Sequence, residues 1–322
     1  MSFKLRAFDP EHDYERVAEL IATTDSHDGL DSAPSVDELR HAISVGGWYE
    51  PDRDTRVAAA GDEVVGFIRV SSRVRSDAKV VHRIEVQTRP AWRRRGVGRA
   101  LVDWAETRSA AMRDGGEIGA PGMAHEMAGS PDDANEASRA FALALGYHPI
   151  RYSFEMARDL REPILDAVLP AGLELRAVVE ADHRRIWEAN VEAFLDHFEP
   201  GEQTEDDFRA EFALPDLDTS LWVIAWDGSE VAGVVFNMIF ATENEQLGAR
   251  TGWLAEVSVR RPWRRRGLAT ALITESLRRL RDRGMDDARL GVDAENPTGA
   301  LGVYERLGFR RLRAHRLYRK SI

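Results

Sequence analysis

"PWRRRGLATALI" occupies Pro262–Ile273, and "AWRRRGVGRALV" occupies Ala91–Val102. Each sets three arginines and a glycine ahead of a stretch with helical apolar spacing. Each also follows a short β-forming run, "EVSV" at 256–259 and "EVQT" at 85–88. A strand therefore enters this turn and a helix leaves it. The first turn of a helix carries N–H groups without intrahelical partners and a partial positive charge. Glycine lets a ligand approach the backbone closely, so the turn reads as an anion cradle suited to a pyrophosphate, with arginines adding charge. It is not a phosphate-binding loop of nucleotide hydrolases, which needs Gly-Lys-Ser/Thr. Nor is it a dinucleotide fingerprint, which needs a third glycine.

Working outward, the two copies extend along the chain in the same order. Glu85-Val86-Gln87-Thr88-Arg89 matches Glu256-Val257-Ser258-Val259-Arg260, an offset of 171 residues. Leu5-Arg6-Ala7 matches Leu175-Arg176-Ala177, and Glu63-Val64-Val65-Gly66 matches Glu230-Val231-Ala232-Gly233. Leu145-Gly146-Tyr147 matches Leu307-Gly308-Phe309. Ordered matches with slowly drifting offsets mean two copies of one fold with different loops. This gives an N-terminal domain over residues 1–157, a linker over 158–171 ("RDLREPILDAVLPA") and a C-terminal domain over 172–322.

The second copy shows the elements best. A strand near 173–177 precedes a helix over about 182–194, a polar stretch and a second short helix. "LWVIAWDGSEVAGVVFNMIF" reads as a hairpin, because Asp227-Gly228 between apolar runs is a strong turn signal. "WLAEVSV" is a further strand. "LATALITESLRRLRDRG" is a helix ending on Gly284, "DARLGVD" a strand, "PTGALGVYERLG" a helix and "FRRLRAHRLYRK" the closing strand. Asn296 and Pro297 read as the cap and first residue of that last helix. The fold class is α+β, two tandem domains, each a mixed central sheet flanked by helices. The counterpart of "DARLGVD" in the first copy lies in "GGEIGAPGMAHEMAGSPDDANEAS", whose Gly, Pro and Ala make a poor strand.

Composition bounds the function. The chain has 322 residues, no cysteine and a formal net charge of −11. Without cysteine there are no disulfides, thiolate metal sites or cysteine nucleophile, which fits the cytoplasm. The acidic balance and the lack of interleaved aromatics weigh against nucleic acid. No apolar run is long enough to span a membrane and the start lacks a signal peptide. The acidic stretches "AFLDHFEPGEQTEDDF" and "TTDSHDGLDS" have too irregular a spacing for a metal site.

Arg-x-x-Gly-x-Gly/Ala between a strand and a helix resembles the acyl-CoA-binding signature of the GNAT superfamily of N-acetyltransferases, and the element order of both halves is similar to the GNAT fold. The tandem layout is similar to that of mycothiol synthase and other two-domain members. The resemblance implies acetyl-CoA as cosubstrate and a small-molecule primary amine as acceptor, with no metal. It implies coenzyme contacts from Val257, Ser258, Val259, Arg264, Arg265, Arg266, Gly267, Leu268, Ala269, Thr270 and Asn296. In the first copy the matching residues are Val86, Thr88, Arg93, Arg94, Arg95, Gly96, Val97, Gly98 and Arg99. It also implies a tyrosine acid in the pattern Tyr-x-x-x-Gly-Phe, which Tyr304 fits; the first copy has Ala142 there, beside Phe141. The second copy is thus expected to catalyse and the first to be degenerate. Glu256 is the candidate base, with Asp293 and Glu243 as alternatives, and some members use no discrete base. Acid-rich loops after the first helix, with Asp196, His197, Glu199, Glu202, Glu205, Asp206 and Asp207 here and Asp25, His27 and Asp28 in the first copy, suggest a cationic acceptor. A cysteinyl-sugar amine and a non-catalytic acyl-CoA-binding protein are the alternatives. Two fused copies are compatible with a monomer or a homodimer.

Overall fold

In the computed structural model, which describes residues 2–30, 33–44, 50–131, 135–296 and 299–322, both arginine turns join a strand to a helix. The first repeat runs β1 (Lys4–Ala7), α1 (Asp13–Asp28), α2 (Val36–Ser44), α3 (Pro51–Asp54), β2 (Thr55–Ala60), β3 (Glu63–Val74) and β4 (Lys79–Thr88). Then follow α4 (Val97–Asp114), β5 (Ala124–Gly129), α5 (Glu136–Ala144) and β6 (His148–Asp159). The second repeat runs β7 (Glu174–Arg176), α6 (His183–Phe194), α7 (Glu205–Phe212), β8 (Val223–Asp227), β9 (Glu230–Met238) and α8 (Ala241–Leu247). It continues with β10 (Thr251–Val259), α9 (Leu268–Asp282), β11 (Asp287–Asp293), α10 (Ala300–Arg306) and β12 (Arg310–Ser321). The sequence reading missed α8, and its hairpin turn at Asp227-Gly228 forms with Gly228 at φ 58°.

The chain divides into two compact units. One holds Met1–Ile150, Gly201–Pro215 and Arg316–Ile322; the other holds Arg151–Pro200 and Asp216–His315. In the first unit, β1, β2, β3 and β4 pair antiparallel in that order, and β4 pairs parallel with β5. Tyr318–Ser321 of β12 then add antiparallel to β5. In the second unit, β7, β8, β9 and β10 pair antiparallel, β10 pairs parallel with β11, and β6 adds antiparallel to β11. The closing strand of each repeat therefore completes the sheet of the other unit. The repeat boundaries at 1–157, 158–171 and 172–322 and the compact units are different divisions of the chain for this reason.

Each sheet is covered by the helix that leaves its arginine turn. On α9 the stripe Leu268, Leu272, Ile273, Leu277 and Leu280 is buried against β9, β10 and β11. Full burial of each such side chain contributes about 2 kcal/mol. The glycine of the repeated Glu-Val-x-Gly is required by this close packing. A Cβ on Gly233 would lie 2.9 Å from the Ser258 carbonyl oxygen and 3.1 Å from Leu272. One on Gly66 would meet Val97 at 2.7 Å and Leu101 at 2.9 Å.

Two sequence expectations are corrected. Ala124–Gly129 forms a six-residue strand despite its composition, because the Gly/Pro-rich segment ends before it, with Gly119 and Gly122 at φ 76° and 85°. Any degeneracy of the first repeat thus lies in its site residues and not in a missing element. The helix α10 starts at Ala300 with Gly299 as its cap at φ 73°, so Asn296 does not cap it; Pro297 lies outside the described residues. The 158–171 segment has no helix, but Leu160 is buried and Ile164 and Leu169 pack on the second unit's core. Among the described residues no helix is long and apolar enough to cross a membrane.

The first unit also buries a hydrogen-bonded chain. Ser72 Oγ lies 2.7 Å from His82 Nδ1, and His82 Nε2 lies 2.9 Å from His125 Nδ1. Burial, with His125 and Arg108 adding positive charge, pushes His82 down to about 4. The folded state then refuses a proton that the unfolded chain accepts near pH 6.5. Stability is full above that pH and falls as the pH drops toward 4, by on the order of 3 kcal/mol. Thermal melts between pH 7.5 and 4 should show this loss, and His82→Gln should flatten the slope in that window.

Candidate active site

The parallel ladder of the second unit is short. Only Thr251–Trp253 pair with Asp287–Arg289, although β10 runs on to Val259 and β11 to Asp293. Both strands keep their outer neighbours, Val259 opposite Gly233 and Asp293 opposite Ser153. The sheet therefore opens in its interior. The Arg260 N–H donates to the Ala232 carbonyl of β9 at 3.0 Å, so strand alternation turns the main-chain groups of Val257 and Val259 toward the opening. Past Trp253 this edge of β10 has no strand partner among the described residues, although its Val259 carbonyl accepts from Arg264, and it suits an extended ligand that carries amides.

A bulge sits at the mouth of this opening. The register of β10 on β9 shifts between Leu254 and Glu256. Beyond it, Glu256 and Ser258 face α6, while the side chains of Val257 and Val259 pack on the α9 core. Asn190 of α6, buried, ties the two polar residues together. Ser258 Oγ donates to Asn190 Oδ1 at 2.8 Å, and Asn190 Nδ2 donates to Glu256 Oε2. Glu256 is half-buried, and burial pushes its carboxyl above the ordinary carboxylate range while the Asn190 bond pulls it partly back. Asn190 was missed in the sequence. The signal was its place among Ile186, Ala189 and Ala193 on the buried face of α6, where a polar residue needs a partner.

Tyr304 lies on the other side of β10. It is buried in one apolar cluster with Trp263, Leu268, Leu272 and Val292, against which Val257, Val259 and Ala269 also pack. Phe309 meets its ring edge-on at 5.8 Å. Burial alone pushes the phenol up to about 12, so it holds its proton at neutral pH. The strand bearing Glu256 thus separates a carboxylate on one face from a phenol on the other, with the opening alongside.

The turn below has the same shape in both repeats. Arg265 and Gly267 take φ 58° and 83°, and Arg94 and Gly96 take 62° and 87°. A Cβ at Gly96 or Gly267 would meet nothing within 4 Å, so the backbone there is open. The first main-chain N–H groups of the 15-residue α9 and the 18-residue α4 point into this space. Arg94, Arg95, Arg265 and Arg266 are exposed, while Leu268 and Val97 are buried; Ala269, Thr270 and Gly98 are partly exposed. Arg99 of α4 is exposed and 3.9 Å from Asp103.

The first arginine of each turn is engaged by the fold. Arg264 donates to the Val259 carbonyl at 2.8 Å, to Asp196 at 2.6 Å and to the Ala193 carbonyl at 3.2 Å. Arg93 donates to the Thr88 carbonyl at 3.3 Å and to both oxygens of Asp28 at 2.7 Å. Both brace the helix before the acceptor loop against the end of the strand. Arg261 and Arg264 together hold Asp196 far below the usual carboxylate range. Three acids expected in that loop, Glu205, Asp206 and Asp207, form instead the first turn of α7, where Asp207 pairs with Arg73 at 2.7 Å and Asp206 with Arg209 at 3.3 Å; in the first repeat Asp25, His27 and Asp28 lie in α1 and not in a loop. Asp293 is held by Arg151 at 2.7 Å, and Glu243 lies in the first turn of α8. Asn296 donates its main-chain N–H to the Asp293 carbonyl at 3.2 Å.

The first repeat keeps the opening, since β4 pairs with β5 only over Lys79–Arg83. Its β4 pairs with β3 without a bulge, and its chemistry is changed. Glu85 is clamped by Arg69 through two bonds of 2.8 and 2.7 Å, where Glu256 faces Phe236 across the strands. Ala142 stands in place of Tyr304. Phe141 crowds the turn, its Cζ and Thr88 Oγ1 each 3.5 Å from where a Cβ of Gly98 would be. Val86 and Phe141 pack on that unit's core.

The model of the acetyltransferase (GNAT) family matches residues 184–309, and that of an acetyltransferase (GNAT) domain matches residues 51–149. The mycothiol acetyltransferase of Salinispora arenicola (strain CNS-205) is 31% identical over 312 residues, covering 96% of this chain and 94% of that protein. That of Streptomyces scabiei (strain 87.22) is 30% identical over 94% of this chain and 91% of its own length. The crystal structure of a GCN5-related N-acetyltransferase from Sphaerobacter thermophilus superimposes with a TM-score of 0.75 at 26% identity, covering 99% of this chain and 95% of that one. A tandem GNAT protein from the clavulanic acid biosynthesis pathway shares the fold, with a TM-score of 0.71 at 16% identity over 99% of this chain and 98% of its own. Family models match in both repeats and relatives match along nearly the whole chain, in agreement with its two strand–turn–helix units: the chain belongs to the GNAT acetyltransferase family, as a tandem, acetyl-CoA-dependent N-acetyltransferase.

Proposed function

We propose that the second repeat transfers the acetyl group of acetyl-CoA to the α-amino group of a cysteinyl sugar, and that the first repeat is non-catalytic. One observation carries this reading. The same strand position holds Glu85 in a bidentate ion pair with Arg69 but leaves Glu256 beside a neutral amide. The guanidinium engages both carboxylate oxygens of Glu85, whereas the amide reaches one oxygen of Glu256, whose carboxyl burial raises. The phenol follows the same division, present at Tyr304 and replaced by Ala142.

Acetyl-CoA fits the residues present. The open backbone at Gly267 and the N–H groups of Leu268, Ala269 and Thr270 would hold its pyrophosphate, with Arg265 and Arg266 close by. The edge of Val257 and Val259 would pair with its amides. Arg264 and Ser258 would act indirectly, the first by bracing the turn and the second through Asn190. Bound there, the coenzyme supplies an activated thioester that an amine can attack. Glu256 takes the proton of the attacking amine, and Tyr304 gives one to the sulfur as it leaves. The N–H of Val257 or Val259 would polarise the thioester carbonyl.

The acceptor is named from the mycothiol acetyltransferases, which the chain matches along nearly its whole length. An α-amino group has a pKa near 7.7 to 8.0, so most of the acceptor is cationic at neutral pH and needs a base. Mass spectrometry of products from a cysteinyl sugar, spermidine and an aminoglycoside with acetyl-CoA tests this. N-acetylation of the cysteinyl amine with the highest kcat/KM is expected; preference for either of the other amines would refute the acceptor assignment.

A further inference from the structure

We propose that Asn190 is a positioning residue that holds the Glu256 carboxylate ionised and aimed, with Ser258 fixing the orientation of its amide. The inference rests on Glu256 being the base. An ionised carboxylate only accepts hydrogen bonds, so Asn190 must present its NH₂ to Glu256 Oε2 and its Oδ1 away from it. The hydroxyl of Ser258, 2.8 Å from that Oδ1, locks this arrangement. All three polar groups lie where α6 crosses β10, and Asn190 and Ser258 are buried, 6% exposed each. The amide satisfies one carboxylate oxygen and leaves the other, Oε1, for the amine.

The pair also sets when the base is available. Burial raises Glu256, and the bond from Asn190 opposes that rise. Without Asn190 the carboxylate would keep its proton to higher pH. The donor to Glu256 is a neutral amide, in contrast to the guanidinium of Arg69 on Glu85, and it offsets only part of the rise that burial causes.

The test reads the carboxyl itself, without an acceptor. In protein labelled with ¹³C at glutamate Cδ, the Glu256 resonance is identified by its loss in Glu256→Gln, and its midpoint is followed by NMR. Asn190→Ala should raise that midpoint by about one unit. Asn190→Asp, which adds a like charge, should raise it further, and Ser258→Ala less. An unmoved midpoint in folded Asn190→Ala protein would overturn the inference; if that variant does not fold, an unmoved midpoint in Ser258→Ala overturns it. Activity of Glu256→Gln separates the two claims. Full turnover in that variant would remove Glu256 as base even with the midpoints moving as expected. A dead Glu256→Gln with unmoved midpoints would remove only the role of Asn190.

Discussion

Replacing Tyr304 with phenylalanine lowers kcat by about 10²-fold or more while leaving the Kd for acetyl-CoA nearly unchanged. The substitution removes one oxygen and keeps the ring, so the apolar cluster around Trp263, Leu268 and Phe309 persists. On the proposed mechanism what is lost is the proton donor, a phenol that burial pushes up to about 12 and keeps protonated. Such a phenol is a weak acid toward a thiol in water. The low dielectric that raises the phenol also raises the proton affinity of a thiolate formed beside it, which brings the two closer together. Steady-state kinetics beside calorimetric titration with acetyl-CoA separates the terms. Equal losses of kcat and affinity would mean that Tyr304 shapes the coenzyme site and donates nothing.

The second large effect is at Glu256. Glu256→Gln should cost about 10² to 10⁴-fold in kcat/KM, the usual worth of a positioned base. It should also abolish the rise of activity through the carboxyl's own titration. In the wild-type enzyme that rise lies above the ordinary carboxylate range, because burial raises Glu256. Activity is lost as the pH falls through that midpoint, where the group gains its proton. Glu85→Gln is the internal control. Its carboxylate is paired with Arg69, and its loss should leave kcat unchanged. A Glu85→Gln enzyme as damaged as Glu256→Gln would end the assignment of catalysis to one repeat.

Much of this was legible in the chain. The strand–turn–helix at Arg264–Thr270, the Asp227-Gly228 hairpin and the closing Leu-Gly-aromatic are local signals, set by backbone needs of residues close in sequence. Tyr304 stood out through the resemblance to the family pattern Tyr-x-x-x-Gly-Phe, with Ala142 in its place in the other copy. What was hidden depends on long-range pairing. Arg93 and Arg264 read as anion ligands, yet the aspartates that hold them lie 65 and 68 residues away. The exchange of β6 and β12 left no mark, since an alternating strand reads the same beside either sheet. Asn190 showed in the sequence only as a polar residue on the apolar face of α6, and its partners Glu256 and Ser258 emerge once α6 is laid across β10. The cap of α10 moved from Asn296 to Gly299 because a glycine at positive φ can start a helix without a side-chain bond.

The most direct measurement is a crystal structure of the chain with acetyl-CoA and an unreactive acceptor analogue. The account predicts the pyrophosphate on the main-chain N–H groups at Gly267. The thioester should enter the gap between β10 and β11, with its sulfur within hydrogen-bond reach of the Tyr304 hydroxyl. Coenzyme seated only at Gly96, or a sulfur out of reach of Tyr304, would contradict it.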